Sequence, residues 1–291
     1  MRTYPAIEIK STPGVVSETT PGVDFDLLVA DLGDFGATAV EEASEGVRVF
    51  FSTHPERDAA LTILRARADL ACEPLEVPDE DWAARSQAAL KPITVADITV
   101  APPWTVTDEL RAQSPHLIVI QPSMGFGTGH HASTRLCLGW LQRTAVTGAS
   151  VLDVGTGSGV LAIAAVQLGA TDVAGIDVDP DALTAARENA ELNQIEDRIA
   201  WQQVDLSAAA APLGRRFNVI CANLTGGLLF RDASAFGNLA LPGAHLIASG
   251  FQPHEAAHVV AALKAAGWSV EGHAEEEDWV GVRFGFHGPA I

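Results

Sequence analysis

Residues 151–159, Val-Leu-Asp-Val-Gly-Thr-Gly-Ser-Gly, carry the densest chemical pattern in the chain. An apolar run with Val151, Leu152 and Val154 leads into glycines at alternate positions, Gly155, Gly157 and Gly159. An apolar helix is predicted to follow at once, from Val160 to Leu168. Without Cβ atoms the backbone turns sharply there and a ligand can lie directly against it. Strand, glycine turn and helix in that order open a nucleotide-binding βαβ unit. Two acids accompany the turn. Asp153 precedes the first glycine, and Asp177 closes a second apolar run, Asp172–Ile176. An acid roughly 20 residues on is placed to accept hydrogen bonds from ribose hydroxyls. The dinucleotide fingerprint G-x-G-x-x-G holds a pyrophosphate, and here the third glycine comes one position early.

The elements around this turn alternate. Helices are predicted over 131–145, 158–168, 180–193, 226–239 and 253–266. Between and after them come strands over 150–154, 172–176, 198–204, 217–222, 243–249, 268–274 and 279–286. Such alternation means a mostly parallel sheet covered by helices on both faces. The last two strands are joined too tightly for a helix and should pair antiparallel at the edge. Two further strands, Ile93–Val100 and His116–Gln121, flank Ala101-Pro102-Pro103-Trp104. The first segment reads Tyr4–Lys10 strand, Val23–Leu32 helix, Ala37–Glu42 and Val47–Ser52 strands, Glu56–Ala68 helix and Cys72–Val77 strand. That β-α-β-β-α-β order is that of a ferredoxin-like α+β module, and no catalytic cluster falls within it. The expected organisation is a recognition domain over 1–78, a polar, acidic linker over 79–92 that ends in Lys91-Pro92, and a catalytic domain over 93–291.

Of 291 residues, 47% are hydrophobic and 19% charged, and the formal net charge is −19. Direct nucleic-acid binding is not expected, because phosphate contacts need clustered Lys and Arg. A basic protein partner suits this field, as does simple solubility. Cys72, Cys137 and Cys221 lie far apart without C-x-x-C spacing, which points to reduced thiols and away from disulfides or zinc. Met1–Lys10 lacks a signal-peptide core, and no uninterrupted apolar run reaches membrane-spanning length. No membrane association and a cytoplasmic location are expected. His130-His131 lacks a matching carboxylate or cysteine cluster, so no metal is expected either.

A glycine triplet preceded by an acid resembles class I methyltransferases, which bind S-adenosyl-L-methionine (AdoMet). That ligand has no phosphate and carries a sulfonium and an ammonium, which suit a nearby carboxylate. Three more stretches agree: Met124-Gly125-Phe126-Gly127-Thr128-Gly129-His130-His131-Ala132-Ser133-Thr134-Arg135, Gly175-Ile176-Asp177-Val178-Asp179-Pro180, and Ala222-Asn223-Leu224. With them the chain resembles the PrmA family, bacterial methyltransferases of ribosomal protein L-11. The likeness extends to Asp79-Glu80-Asp81-Trp82, Lys91-Pro92, Pro102-Pro103-Trp104 and Glu277-Asp278-Trp279-Val280.

This resemblance implies a Rossmann-like catalytic domain with an antiparallel edge strand, preceded by the small ferredoxin-like domain. It implies AdoMet as co-substrate and N-methylation of lysine side-chain or N-terminal amino groups of the large-subunit protein L-11. By it, Thr134, Gly155, Asp177 and Asn223 contact AdoMet, Asp153, Gly157 and Phe126 line the same pocket, and Asn223 serves catalysis. Thr134 can donate to the ligand's carboxylate or bond its own helix turn. Phe126 can flank the cofactor or belong to the core. Asp205 can approach the adenine amino group or cap the next turn. His130 and His131 are candidate bases or helix caps. The chain departs from the family at His130-His131-Ala132-Ser133-Thr134, where Thr-His-Pro-Thr-Thr is usual, and at Leu224-Thr225-Gly226, where Ile-Leu-Ala is usual.

Methyl transfer from a sulfonium is an in-line displacement by a neutral amine. Deprotonating a lysine at pH 7 costs about 4.6 kcal/mol, and an α-amine only about 1–1.4 kcal/mol. Desolvation beside a cation lowers an amine's pKa, so proximity and alignment carry catalysis without a strong base. Two rival readings remain at this level. One is a methyltransferase of another protein lysine or a small molecule, and the other is a non-catalytic AdoMet-binding adaptor.

Overall fold

The structure is a computed structural model that describes residues 3–11, 37–43, 46–67, 69–78, 90–122, 129–207 and 213–288. It divides into two units, Met1–Ala89 and Leu90–Ile291, each with its own core.

In the first unit, β1 (Thr3–Ser11), β2 (Ala37–Ala43), β3 (Gly46–Phe51) and β4 (Leu70–Pro78) form an antiparallel sheet in the order β2-β3-β1-β4. This is the strand order of a ferredoxin-like module. Alternation decides the buried face: Val47, Val49 and Phe51 point inward and their neighbours do not. Helix α1 (His54–Leu64) starts where the Thr53 hydroxyl accepts from Glu56 N, with proline in the first turn. Its Ala60, Leu61 and Leu64 share a core with Ile7 and Ile9. It ends before Ala68 because Ala66 N and Arg67 N turn to i−3 carbonyls, closing the helix as a tighter 3₁₀ turn. The helix expected at Val23–Leu32 and residues 79–89 of the linker lie outside the described residues.

The second unit opens with a three-stranded sheet, β5 (Ile93–Val95), β6 (Ile98–Ala101) and β7 (His116–Val119). The single strand expected over Ile93–Val100 is therefore a hairpin. Ala96 takes φ 49°, and Gln142 clamps the turn by accepting from Asp97 N and donating to Val95 O, both at 2.9 Å. That clamp comes from a helix more than forty residues away, so local patterning could not reveal it. The connection from β6 to β7 contains the short helix α2 (Asp108–Gln113), capped by Thr107.

The main sheet holds β8 (Ser150–Val154), β9 (Asp172–Asp177), β10 (Ile199–Gln203), β11 (Phe217–Asn223), β12 (Ala240–Phe251), β13 (Trp268–Glu276) and β14 (Trp279–Phe286). Its order is β10-β9-β8-β11-β12-β14-β13, parallel except for β14, which runs antiparallel to both neighbours. Strand order reverses at β8, which pairs with β9 on one side and β11 on the other. Open α/β sheets bind ligands outside the carboxyl ends of strands at such a switch point.

Helices α3 (Ala132–Gln142), α4 (Val160–Gln167), α5 (Pro180–Leu192), α6 (Gly226–Arg231), α7 (Ala233–Leu239) and α8 (Pro253–Ala265) connect these strands. Apolar on every side, α4 is buried from Val160 to Val166. The one helix expected over 226–239 is two, which meet at Asp232. Its carboxylate takes Arg231 Nε and Nη2 at 2.8 and 2.7 Å while its own N–H closes α6 on Leu228 O. Close approach places α3 on the sheet: a Cβ on Gly272 would come within 2.3 Å of the Trp140 indole, whose Nε1 donates to Gly281 O.

Candidate active site

All three glycines of the turn after β8 lie in the left-handed region, Gly155 at φ 65°, Gly157 at 51° and Gly159 at 81°. That conformation excludes ordinary side chains. The turn is fixed by Thr156 N donating to Ile176 O at 3.0 Å and Gly159 N to Thr156 O at 2.8 Å. A Cβ on Gly155 would meet Leu224 Cδ2 at 2.4 Å, so the residue after β11 packs directly on the bare main chain.

Asp177 ends β9 half-buried. Its Oδ2 accepts from Gly157 N at 3.0 Å and its Oδ1 from Asp179 N at 3.1 Å. One carboxylate thus ties the second strand to the glycine turn, and each oxygen keeps a lone pair for a further donor. Asp153 is buried beneath the turn, its Oδ2 accepting from Thr156 Oγ1 at 2.6 Å and Ala162 N at 3.2 Å. Burial pushes its carboxyl up to about 6, opposed by the Thr156 and Ala162 donors and reinforced by the charge of Asp177. The buried thiols of Cys137 and Cys221 lie in the same field and are pushed up, chiefly by burial.

From the other side, α3 delivers Thr134, which is 1% exposed. Asn223 Nδ2 donates to Thr134 Oγ1 at 3.2 Å. His131 takes the capping role, with Nδ1 accepting from Ser133 N at 3.3 Å. His130 Nε2 donates to Lys91 O at 2.8 Å. Asp205 caps a turn by accepting from Ser207 N and Oγ at 2.9 and 2.7 Å, which holds its carboxyl below the usual range.

A cleft of about 830 Å³ opens over these strand ends, lined by Gly155, Gly157, Asp177, Asp205, Leu228 and Arg231 among others. A smaller hollow of about 50 Å³ is lined by Thr134, Asp153, Gly155, Gly157 and Asn223. The structure therefore gathers Thr134, Asp153, Gly155, Gly157, Asp177 and Asn223 around two hollows that share Gly155 and Gly157. Phe126 lies outside the described residues. Sequence reasoning missed Arg231 and Asp232 on the cleft wall, and Val178 and Leu206, which add apolar surface. Val178, 59% exposed beside Asp177, had a usable signal: an apolar residue directly after the strand-ending acid. Arg231 and Asp232 had none, since they sit in what reads as an unbroken helix. Among the described residues no group of His, Cys, Asp or Glu could hold a metal, and no helix is long and apolar enough to cross a membrane.

The model of the family described as ribosomal protein L11 methyltransferase (PrmA) matches residues 34–286. The chain belongs to the PrmA family. Among relatives of this PrmA chain, the ribosomal protein L11 methyltransferase of Deinococcus radiodurans is 37% identical over 235 residues, covering 79% of this chain and 82% of that one. That of Janthinobacterium sp. strain Marseille is 34% identical over 285 residues, covering 92% and 88%. The crystal structure of a ribosomal protein L11 methylase from Lactobacillus delbrueckii subsp. bulgaricus superposes with a TM-score of 0.62 at 28% identity, covering 68% of this chain and all of that one. The PrmA fold here is the class I AdoMet-dependent methyltransferase fold, and the chain is an AdoMet-dependent methyltransferase.

The PrmA site fits that co-substrate. Its volume lies within the range of about 300–1,000 Å³ usual for small-molecule sites. Among the described residues its lining carries the carboxylates Asp177, Asp179, Asp181, Asp205 and Asp232 against the cation Arg231, a field that favours a cationic ligand.

Proposed function

We propose that this chain transfers methyl groups from AdoMet to amino groups, lysine side chains or the N-terminus, of ribosomal protein L11. The single observation that carries the site reading is the Asn223–Thr134 hydrogen bond at the mouth of the glycine turn. It commits one amide hydrogen of Asn223 and leaves the Oδ1 acceptor for the N–H of an incoming amine. Thr134, used there as acceptor, keeps its own hydrogen for the carboxylate of the co-substrate. Asp177 takes ribose hydroxyls on its outward lone pairs, Gly155 and Gly157 let the ligand lie on the main chain, and Asp153 supplies negative charge from below. Phe126 belongs to the same reading through the family pattern. When bound, AdoMet supplies the electrophilic methyl.

The residues then act by alignment. Asn223 orients the amine nitrogen for in-line attack, and the positive charge of the bound sulfonium favours the neutral amine. The unit at residues 1–89 holds the protein substrate in this reading, as a unit with its own core. The relatives' names, each a ribosomal protein L11 methyltransferase, support the acceptor.

A second reading, another amine acceptor, draws on Leu224-Thr225-Gly226 directly after Asn223, where the side chain of Leu224 crowds the glycine turn. One experiment separates them. Ribosomes from a strain lacking this gene are incubated with the purified protein and methyl-labelled AdoMet, and the labelled polypeptide is identified by mass spectrometry. Label on L11 amines is expected. Label on a different polypeptide supports the second reading, and no protein label at all favours an AdoMet-binding adaptor.

A further inference from the structure

Arg135, the residue after Thr134, stands where three segments meet. Its Nε donates to Glu276 Oε1 at 2.6 Å, its Nη2 to Glu277 Oε1 at 2.8 Å, and its Nη1 to the carbonyl of His130. Only 19% of this side chain is exposed. An isolated surface pair would contribute little, but a planar guanidinium holding three acceptors in a network fixes geometry.

The partner turn is built for this contact. Glu277 is the first of two residues linking β13 to β14 and takes φ 54°, a position glycine would occupy without strain. A glutamate there adopts a left-handed backbone, and its carboxylate reaches Arg135. Trp279, the first residue of β14, stands edge-on to His131 with ring centroids 4.4 Å apart. His130 in turn holds the carbonyl of Lys91. The Glu277-Asp278-Trp279 stretch thus grips the segment that leads into α3, and α3 presents Thr134 to Asn223.

We propose that Arg135 is a positioning residue for methyl transfer, clamping the β13–β14 turn to the His130–Thr134 segment so that the Thr134 hydroxyl meets Asn223. The inference rests on the reading of Thr134 and Asn223 as the AdoMet-binding pair. Small displacements at such a pair are costly, on the order of 100-fold in rate for about 1 Å.

The test uses the full-length protein and calorimetric titration with AdoMet, alongside steady-state methylation of L11. Arg135→Ala and Arg135→Lys should each weaken AdoMet about tenfold and raise its KM in step, leaving the KM for L11 unchanged. Lysine keeps the charge but lacks the fork. Glu277→Ala alters an exposed side chain, so it should weaken AdoMet about threefold without moving the thermal midpoint of the ligand-free protein. It also carries the test should the Arg135 variants fail to fold. Arg135→Ala/Glu277→Ala should bind no more weakly than Arg135→Ala. Wild-type affinity in Glu277→Ala, or a double variant weakened by the product of the two single effects, overturns the proposal. If the wild-type protein itself gives no heat with AdoMet, the co-substrate site fails and the inference with it.

Discussion

Asn223 and Thr134 stand 89 positions apart in the chain, and their side chains meet at 3.2 Å. One ends a central strand and the other opens the helix before the glycine turn. Asn223→Ala should lower kcat by about 100-fold, the range for losing a group that orients reactants, with a smaller change in AdoMet affinity. Thr134→Ser keeps the hydroxyl and should stay near wild type, whereas Thr134→Val should weaken AdoMet severalfold. Steady-state kinetics with calorimetry check both. A Thr134→Val protein indistinguishable from wild type would remove Thr134 from the site.

Asp177 accepts from two backbone N–H groups, so its loss affects both the ligand and the loop. Asp177→Ala should raise the Kd for AdoMet at least tenfold, about 1.4 kcal/mol. Asp177→Asn keeps one acceptor and should fall between. Titration calorimetry reads the order, and equal affinity in all three proteins would exclude a ribose contact.

Asp153 should make binding depend on pH. Its folded-state carboxyl titrates at about 6 against 3.8 for an ordinary aspartate. Between these values the folded protein holds a proton that the unfolded chain has lost, so stability should fall as pH rises from about 4 to about 6. A cationic ligand prefers the ionised carboxylate, so AdoMet affinity should rise as pH passes upward through about 6. Both slopes should flatten in Asp153→Asn, followed by thermal denaturation and calorimetry between pH 5 and 7.

Gly155→Ala sets a Cβ within 2.4 Å of Leu224 Cδ2 at φ 65°. It should destabilise the protein by roughly 1–3 kcal/mol. Adding Leu224→Ala should recover the steric share and leave the backbone share. Denaturant unfolding of the single and double variants measures the split, and full recovery would show that backbone conformation contributes nothing.

Much of this architecture was legible from order along the chain. Helix-strand alternation from residue 131 onward gave the parallel sheet and its antiparallel edge because those periods are local properties of backbone and side-chain placement. The two misreadings differ in origin. Ile93–Val100 looked continuous because the clamp that turns it at Ala96 belongs to Gln142, and 226–239 looked unbroken although Arg231 and Asp232 pair within it.

What the sequence determined by itself was the glycine turn: glycines at 155, 157 and 159 and the acid at 153 act over short spans, where conformational freedom and charge are properties of single residues. The tertiary structure alone decided which side chains answer one another across the pocket. Thr134 meets Asn223, Asp177 braces Gly157, and Arg135 grips Glu276 and Glu277 because strand order brings distant segments to one edge of the sheet. Distances of that kind arise from packing of whole elements, and no residue spacing encodes them.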